Sequence, residues 1–312
     1  MLSSTPYKCP PGLLISAQQQ APLKTAVVNA GTILVMTSAK LAAENGLIIP
    51  VLVGDANVIN SIATDINWNI RNIDVVDAND EIKSIKLSVT LAREGNVSAL
   101  MKGHVHSDVL MREVVHRTNG IRSKRRPSHA FYMTVPGDER GICITDAVIN
   151  VSPKVKHKID IARNATDLMH ALGNPNPRIA IISGTEIPTD QMPSSIDAIE
   201  IVKEANNGAI YGADIDGPMA LDVAISEQAA ATKGIDSSVA GKADILLVPN
   251  LETGNVLFKM KEYFLSATAA GLVLGVKVPI TLTSRSSSSE SRLASAAIAS
   301  IYAAHYNTGN IE

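Results

Sequence analysis

The residues best suited to chemistry lie in the segment TLTSRSSSSES, where Thr283, Ser284 and Arg285 precede a run of serines and Glu290. An arginine side chain presents a planar fork of donors that matches phosphate oxygens. The apolar stretch that follows predicts a helix, and a helix N-terminus adds unpaired N–H groups and the positive end of a dipole. The segment therefore predicts a site for a phosphoryl group. The alternative is a serine cap beside a solvated arginine.

A second polar segment, PNLETGNVLFK, opens another predicted helix. Gly254 lets the backbone approach a ligand closely, and Asn255 can both donate and accept hydrogen bonds. Lys259 follows about one helical turn later. Asn255 and Lys259 are therefore predicted to bind substrate. Taken alone, the segment also fits an ordinary turn into a helix.

Basic residues are densest between Arg122 and Arg126, just before Ser128 and His129. Because the formal net charge is only -2, this cluster fits a local site for a polyphosphorylated ligand. Arg126 and Ser128 are predicted to contact the substrate there. The alternative is an ordinary solvated basic face.

Two pairs of residues have side chains that ligate metals. His104 and His106 are two apart in a strand-like stretch, and Asp214 and Asp216 end a predicted strand. Such pairs suit Zn²⁺ and Mg²⁺ respectively. Neither pair has further ligands clustered with it in the sequence, and the aspartates fit a turn and helix cap. No metal site is predicted.

β-Branched runs, Gly or Pro turns and amphipathic segments alternate along the chain, a pattern typical of βαβ units. In such folds ligands bind beyond the carboxyl ends of the strands. Residues 127–149 predict an antiparallel hairpin and a domain junction, and the serine run after Arg285 predicts a loop between a strand and a helix. The predicted strands are 24–30, 48–54, 73–77, 99–102, 178–183, 209–215, 243–248 and 278–283. The predicted helices include 81–94, 155–172, 195–206, 219–233, one from about 250 to 271, and 290–306.

Composition narrows the class of protein. With 312 residues, 46% hydrophobic and 3% aromatic, the chain predicts two α/β domains with cores of Ala, Val, Ile and Leu. The net charge of -2 argues against a broad nucleic-acid-binding surface. Cys9 and Cys143 are far apart, which suits a reducing compartment. With no signal-like or membrane-spanning segment in the sequence, a cytoplasmic protein without a membrane partner is expected.

Six uncommon segments occur in one order between about Lys24 and the C-terminus. They are MKGHVHSDVLMREVV, RRPSHAFYM, TEIPTDQMPSSIDA, YGADIDGPMALDVAIS, VAGKADILLVPNLETGNVLFKM and GVKVPITLTSRSSSSESRLASAAIA. Their order resembles the phosphate acetyltransferase and phosphate butyryltransferase family, more closely its butyryltransferase-like branch.

The resemblance implies two three-layer αβα domains similar to those of isocitrate and isopropylmalate dehydrogenases, with the active site in the interdomain cleft. The implied domains are residues 1–143 with 284–312, and residues 144–283. A homodimer or higher homo-oligomer is expected. The implied reaction moves an acetyl or butyryl group between coenzyme A and inorganic phosphate, without a cofactor, a metal or a covalent acyl-enzyme. Coenzyme A or acyl-CoA and phosphate or acyl phosphate are the expected partners.

By position, Ser284 and Arg285 match the family's catalytic serine and arginine, and Asn255 and Lys259 its ligand-facing helix start. In the family's acetyltransferases, an aspartate that acts as the catalytic base stands where this chain has Ser291. Glu290, the nearest carboxylate, is therefore the predicted catalytic base, with a helix-start role as its equal alternative. The preferred acyl chain stays open.

Two other functions compete with this one. The first is a non-catalytic acyl-CoA sensor, since the family's usual base is missing here. The second is a metal-dependent decarboxylating dehydrogenase on the same fold, which only Asp214 and Asp216 would support.

Overall fold

Strands and helices alternate along most of the chain, as the sequence pattern predicts. The structure, a computed structural model, describes residues 2–138, 140–284 and 286–307. Two units form. Lys8–Arg125 with Ala270–Glu312 make up the N-terminal unit, and Met1–Tyr7 with Arg126–Ala269 make up the middle unit.

The strands in the described residues are β1 Leu23–Val28, β2 Ile48–Gly54, β3 Asp74–Asp77, β4 Ala99–Lys102, β5 Ser128–Thr134, β6 Ile142–Thr145, β7 Arg178–Ile182, β8 Asp214–Met219, β9 Ile245–Leu247, β10 Thr268–Leu274 and β11 Ile280–Thr281. The helices are α1 Pro11–Gln18, α2 Ile33–Glu44, α3 Ala56–Asp65, α4 Glu81–Arg93, α5 Ser107–Val114, α6 Val155–Ala171, α7 Pro193–Glu204, α8 Leu221–Ile225, α9 Glu227–Thr232, α10 Leu251–Leu265 and α11 Ser289–Asn307. No helix among the described residues is long and apolar enough to cross a bilayer.

The sheet of the N-terminal unit has the strand order β3-β2-β1-β4-β11-β10. Its strands run parallel except β10, which is antiparallel to β11. Val27 and Val28 of the central strand β1 are fully buried. Burial on both faces is expected where helices cover a parallel sheet. The carboxyl ends of β1, β4 and β11 therefore lie along one edge.

The sheet of the middle unit has the order β5-β6-β9-β7-β8, with β5 antiparallel to β6 and the other pairs parallel. The antiparallel hairpin predicted from residues 127–149 is thereby confirmed. Phe131 on β5 stacks on Phe258 of α10 with ring centroids 4.2 Å apart. This pair lies in an apolar cluster built otherwise mainly from Ala, Ile, Leu and Val. The predicted aliphatic core is what the structure shows.

The limits of the units differ from the predicted domain boundaries. The prediction divided the chain after residues 143 and 283, whereas the chain passes from one unit to the other after Arg125 and after Ala269. A division after residue 143 would cut through β6, which pairs with β5 along the whole of its length. The hairpin therefore stays within the middle unit.

Three predicted elements were wrong. The strand predicted at 209–215 lies later, in β8, and Ala205–Ala209 forms a π-helical turn instead. The helix predicted at 219–233 divides into α8 and α9, because Ser226 leaves helical geometry and its side chain caps α9 by accepting from Ala229 N. The helix predicted to reach residue 271 ends at Leu265, since Ser266 adopts a left-handed conformation, and the buried strand β10 follows.

Candidate active site

The loop that joins β11 to α11 holds the serine run. Ser284 N donates to Ser287 Oγ at 3.1 Å, and Ser287 N donates back to Ser284 O at 3.2 Å. Ser287 is buried, and Ser288 accepts from Ser291 N at 3.1 Å as the cap of α11. The serines therefore form an ordered loop between a strand and a helix, as predicted, rather than a linker. Arg285 lies outside the described residues.

Arg292, in the first turns of α11, donates hydrogen bonds to this loop from the helix. Its Nη1 donates to Thr283 Oγ1 at 3.2 Å and its Nη2 donates to Ser284 O at 3.0 Å. Burial lowers the pKa of the Arg292 guanidinium below its usual value. Sequence analysis missed this residue, because an arginine in the first turns of a helix is usually solvated.

Glu290 is half-buried at the start of α11. One of its carboxylate oxygens accepts a hydrogen bond from Cys9 N at 2.8 Å. Ser291 stands where the resemblance places an aspartate that acts as the catalytic base, and it is fully buried. Glu290 thus ties the segment before α1 to the helix start, and its predicted role as the base stays a prediction.

Other polar residues lie at the same edge of the N-terminal unit. Lys102, at the end of β4, lines a small cavity together with Thr283 and Arg292. Gly103 follows directly, and a Cβ there would lie 2.0 Å from Val28 O, so only glycine fits between the ends of β1 and β4. The shared cavity places Lys102 beside Thr283 of the serine loop.

His104 and His106 engage separate partners. Asn29 Nδ2 donates to His104 O at 2.7 Å, whereas His106 Nδ1 lies 3.2 Å from Glu81 Oε1. Hydrogen bonding to the backbone of His106 is the main cause that lowers the pKa of Glu81. Within the residues that the structure describes, no group of three or more His, Cys, Asp or Glu side chains is arranged to hold a metal.

In the middle unit, the loops after β6 and β9 meet. A Cβ on Gly254 would lie 2.7 Å from Asp146 O, so this position requires glycine for close approach. The contact brings Asn255 to the loop after β6, where its Nδ2 lies 3.5 Å from Ala147 O. Asn250 caps α10 by accepting from Thr253 N at 2.9 Å. Asn255 thus lies in the first turns of α10, and its predicted role in substrate binding stays a prediction.

Lys259 lies half-buried one turn further along α10. Its Nζ is 5.3 Å from the centroid of the Phe258 ring. Burial raises the pKa of the nearby Glu262 carboxyl, and the positive charge of Lys259 offsets part of that rise. The ammonium group of Lys259 thus interacts with Phe258 and Glu262 of the same helix.

Arg126 is exposed yet held from several sides. Its Nε donates to Asn150 Oδ1 at 2.7 Å, and the buried Asn150 donates in turn to Asp146 Oδ2 at 2.6 Å. Its backbone N–H donates to Asp160 Oδ2 at 3.0 Å. Burial, followed by the charge of Arg126, lowers the pKa of His157. The guanidinium is therefore oriented by the loop after β6.

Ser128 is predicted to contact the substrate, and that contact stays a prediction. It is fully buried at the start of β5, where its Oγ accepts from Asn164 Nδ2 at 2.9 Å. The same amide donates to Arg126 O at 2.9 Å. In this structure Ser128 braces the strand start, and Arg126 carries the exposed charge.

Asp214 and Asp216 do not end a strand, which corrects the sequence interpretation. Asp214 begins β8 and pairs with Arg178 at the start of β7, so it lies at the amino edge of the sheet. Asp216 Oδ1 accepts from Gly217 N at 2.7 Å within the strand. Ligands bind at the opposite edge in folds of this kind.

Residues 80–300 match the family described as phosphate acetyl/butaryl transferase. The chain belongs to this family. A phosphate acetyltransferase of Rhizobium meliloti is 43% identical over 299 residues, covering 96% of this chain and 95% of that protein. A phosphate butyryltransferase of Clostridium beijerinckii is 39% identical over 292 residues, covering 93% of this chain and 97% of that protein. The predicted resemblance is confirmed.

Solved structures agree with these relatives of the phosphate acetyl/butyryltransferase family. A branched-chain phosphotransacylase from Enterococcus faecalis superposes with a TM-score of 0.78 at 28% identity, covering 90% of this chain and 99% of that one. A putative 4-hydroxythreonine-4-phosphate dehydrogenase from Salmonella typhimurium shares the fold alone, with a TM-score of 0.59 at 13% identity over 90% of this chain and 99% of that one. The predicted dehydrogenase-like α/β fold is confirmed, as is the prediction of a phosphate acyltransferase rather than a sensor.

Proposed function

We propose that this chain moves an acyl group between coenzyme A and inorganic phosphate at the loop that follows β11. The observation that carries the proposal is the pair Thr283 and Ser284, whose Oγ1 and backbone O accept from the half-buried Arg292 guanidinium and which Arg285 follows in the sequence. A loop of this kind, at the carboxyl end of a strand and the start of a helix, suits a phosphoryl group.

In the direction of acyl phosphate formation, a phosphate oxygen attacks the thioester carbonyl carbon and a C–O bond forms. The C–S bond then breaks, and coenzyme A leaves as the thiolate, which takes up a proton. In the reverse direction the thiol must lose that proton, and a free thiol near pKa 8.5 is mostly protonated at neutral pH. Donors that face the developing oxyanion favour both directions.

We assign Ser284 and Arg285 to the reacting groups and Thr283 to the substrate-binding loop. Arg126, Asn255 and Lys259 are proposed to bind substrate. Arg126 is the best supported of these, because Asn150 orients its Nε and leaves the terminal nitrogens of an exposed fork for an anion. Ser128 acts behind Arg126, as a brace.

The assay that tests this function measures thiol release from acetyl-, propionyl-, butyryl- and isobutyryl-CoA with and without inorganic phosphate. Release that requires phosphate supports the proposal, and the ranking of the four substrates gives the preferred acyl chain. One methylene changes such rates by about 10- to 200-fold at most, so the ranking is expected to be graded. Thiol release at the same rate without phosphate would contradict an acyltransferase.

We further propose that the enzyme is a cytoplasmic homodimer that needs no metal. Both cysteines are free and buried, as in proteins of reducing compartments. Val256, Met260 and Phe264 recur every four residues on α10 and are 60%, 48% and 45% exposed, which offers an apolar face for a second copy. Light scattering during size-exclusion chromatography tests the dimer, and a single mass of 33.0 kDa would contradict it.

A further inference from the structure

Arg292 is fixed at both ends of its side chain. Its backbone lies in α11, whose Ser295 accepts from Gly271 N of β10 at 2.9 Å and donates to Ser291 O at 2.7 Å. Its guanidinium donates one hydrogen bond to Thr283 and one to Ser284. The Arg292 side chain therefore joins the helix to Thr283 and Ser284.

The Arg292 guanidinium binds the loop through both of its terminal nitrogens. The two terminal nitrogens reach acceptors on successive residues, Thr283 Oγ1 and Ser284 O, at 3.2 and 3.0 Å. The planar guanidinium fixes the spacing of its donors, whereas an ammonium is a point charge without such directionality. Arg292 thereby constrains both the position and the rotation of the peptide that carries the Ser284 side chain.

Within the described residues, the loop's own hydrogen bonds at Ser284 are local to the turn, and the tie from the loop to α11 through Ser288 lies four residues further along. Ser284 exchanges hydrogen bonds with Ser287, and the Ser284 Oγ lies 3.0 Å from Ser286 Oγ. These contacts hold the turn together locally, but they move with it. The contact from Arg292 fixes the position of the turn relative to α11. This helix packs on the sheet through buried residues such as Ala294, Ala297 and Ile298.

We propose that Arg292 is a positioning residue, which holds Thr283 and Ser284 so that the Ser284 hydroxyl meets the reacting acyl group. The proposal rests on the proposed function in taking Ser284 as catalytic. Arg292 acts through the loop and not on the substrate, so its loss is expected to lower kcat and to change the KM for coenzyme A little. A displacement of about 1 Å in a reacting group costs on the order of 100-fold in rate.

The test is a double-mutant cycle in the full-length enzyme with Ser284→Ala, Arg292→Met and the double variant. Arg292→Met is expected to lower kcat about 100-fold. If Arg292 acts through Ser284, kcat of the double variant is expected to lie within about twofold of that of Ser284→Ala. A twofold difference is about the error within which the effects of independent sites add. Losses that multiply in the double variant would overturn the positioning role. A wild-type rate for Ser284→Ala would instead refute the proposed site.

Arg292→Lys provides a second measurement that separates positioning from stability. It keeps the charge and most of the length of the side chain, so its Tm is expected to stay close to that of the wild type while kcat remains less than about a tenth of it. The matched control is Arg93→Met, which removes a partly buried arginine that donates to Asn119 O at 3.0 Å in the N-terminal unit. That control is expected to lower Tm and to keep kcat. A kcat that follows Tm across all three variants, or a wild-type kcat for Arg292→Met, would overturn the proposal.

Discussion

Glu290→Gln distinguishes a catalytic base from an anchor of the N-terminal segment. The contact between Cys9 N and the Glu290 carboxylate spans 2.8 Å, and we expect it to account for most of what Glu290 does. A hydrogen bond to a charged group contributes about 1.5–3 kcal/mol, and one between neutral groups about 0.5–1.5 kcal/mol. Since glutamine keeps an acceptor, the change costs about 1–1.5 kcal/mol at this contact.

The helix start adds a second contribution. A negative charge in the first turn of a helix is favourable by about 0.3–1 kcal/mol, and glutamine lacks it. Together the two effects lower the free energy of unfolding by about 1.3–2.5 kcal/mol, which corresponds to a fall in Tm of roughly 3–10 °C for a domain of this size. The same account predicts that turnover with coenzyme A changes little.

Tm and phosphate-dependent thiol release are measured on the wild type, Glu290→Gln, Cys9→Pro and the double variant. Proline removes the N–H donor at Cys9, so the anchor account expects Glu290→Gln to lower Tm less in the Cys9→Pro background than in the wild type. A loss of turnover of about 10²- to 10⁴-fold at unchanged Tm would refute this reasoning and establish Glu290 as the base.

Three further outcomes follow from the structure and the sequence. Burial raises the pKa of both Cys9 and Cys143 to about 12, so at pH 8 these thiols stay protonated and a thiol reagent should titrate neither in the native protein but both in urea; a fast-reacting thiol in the native enzyme would contradict this. Gly254→Ala should destabilise the protein by about 1–3 kcal/mol in urea unfolding, because the new Cβ meets Asp146 O, while Gly12→Ala in α1, where nothing lies within 4 Å, serves as the control and should not destabilise it. Arg285→Ala should nearly abolish acyl transfer with unchanged Tm, and activity should persist in EDTA; wild-type turnover of the variant would show that the loop is misassigned.

Much of the fold follows from local pattern. Strands such as β2 and β4 have the residues that the sequence predicted, because short β-branched or apolar runs bounded by turns leave few alternatives. β10 was missed, since its sequence TAAGLVL is buried throughout and lacks the alternation that marks a strand. Two residues separate it from α10, Ala267 and the left-handed Ser266, whose Oγ donates to Ser3 Oγ at 2.8 Å.

The candidate site was predictable where a residue type and its place in a βα loop agree. Ser284 and Asn255 meet both conditions, so the sequence alone proposes them as site residues. Arg292 and Asn150 were not, because their roles depend on partners 8 and 24 residues away in the chain. Such partners are fixed by tertiary packing, which local pattern does not encode.

The most direct test of the central claim compares two products of the same reaction. Acyl-CoA and inorganic phosphate are incubated with the enzyme, the free thiol is titrated, and acyl phosphate is trapped with hydroxylamine as the hydroxamate. The account predicts one acyl phosphate for each thiol released and no release without phosphate. Thiol release without acyl phosphate would identify a thioester hydrolase and contradict the account.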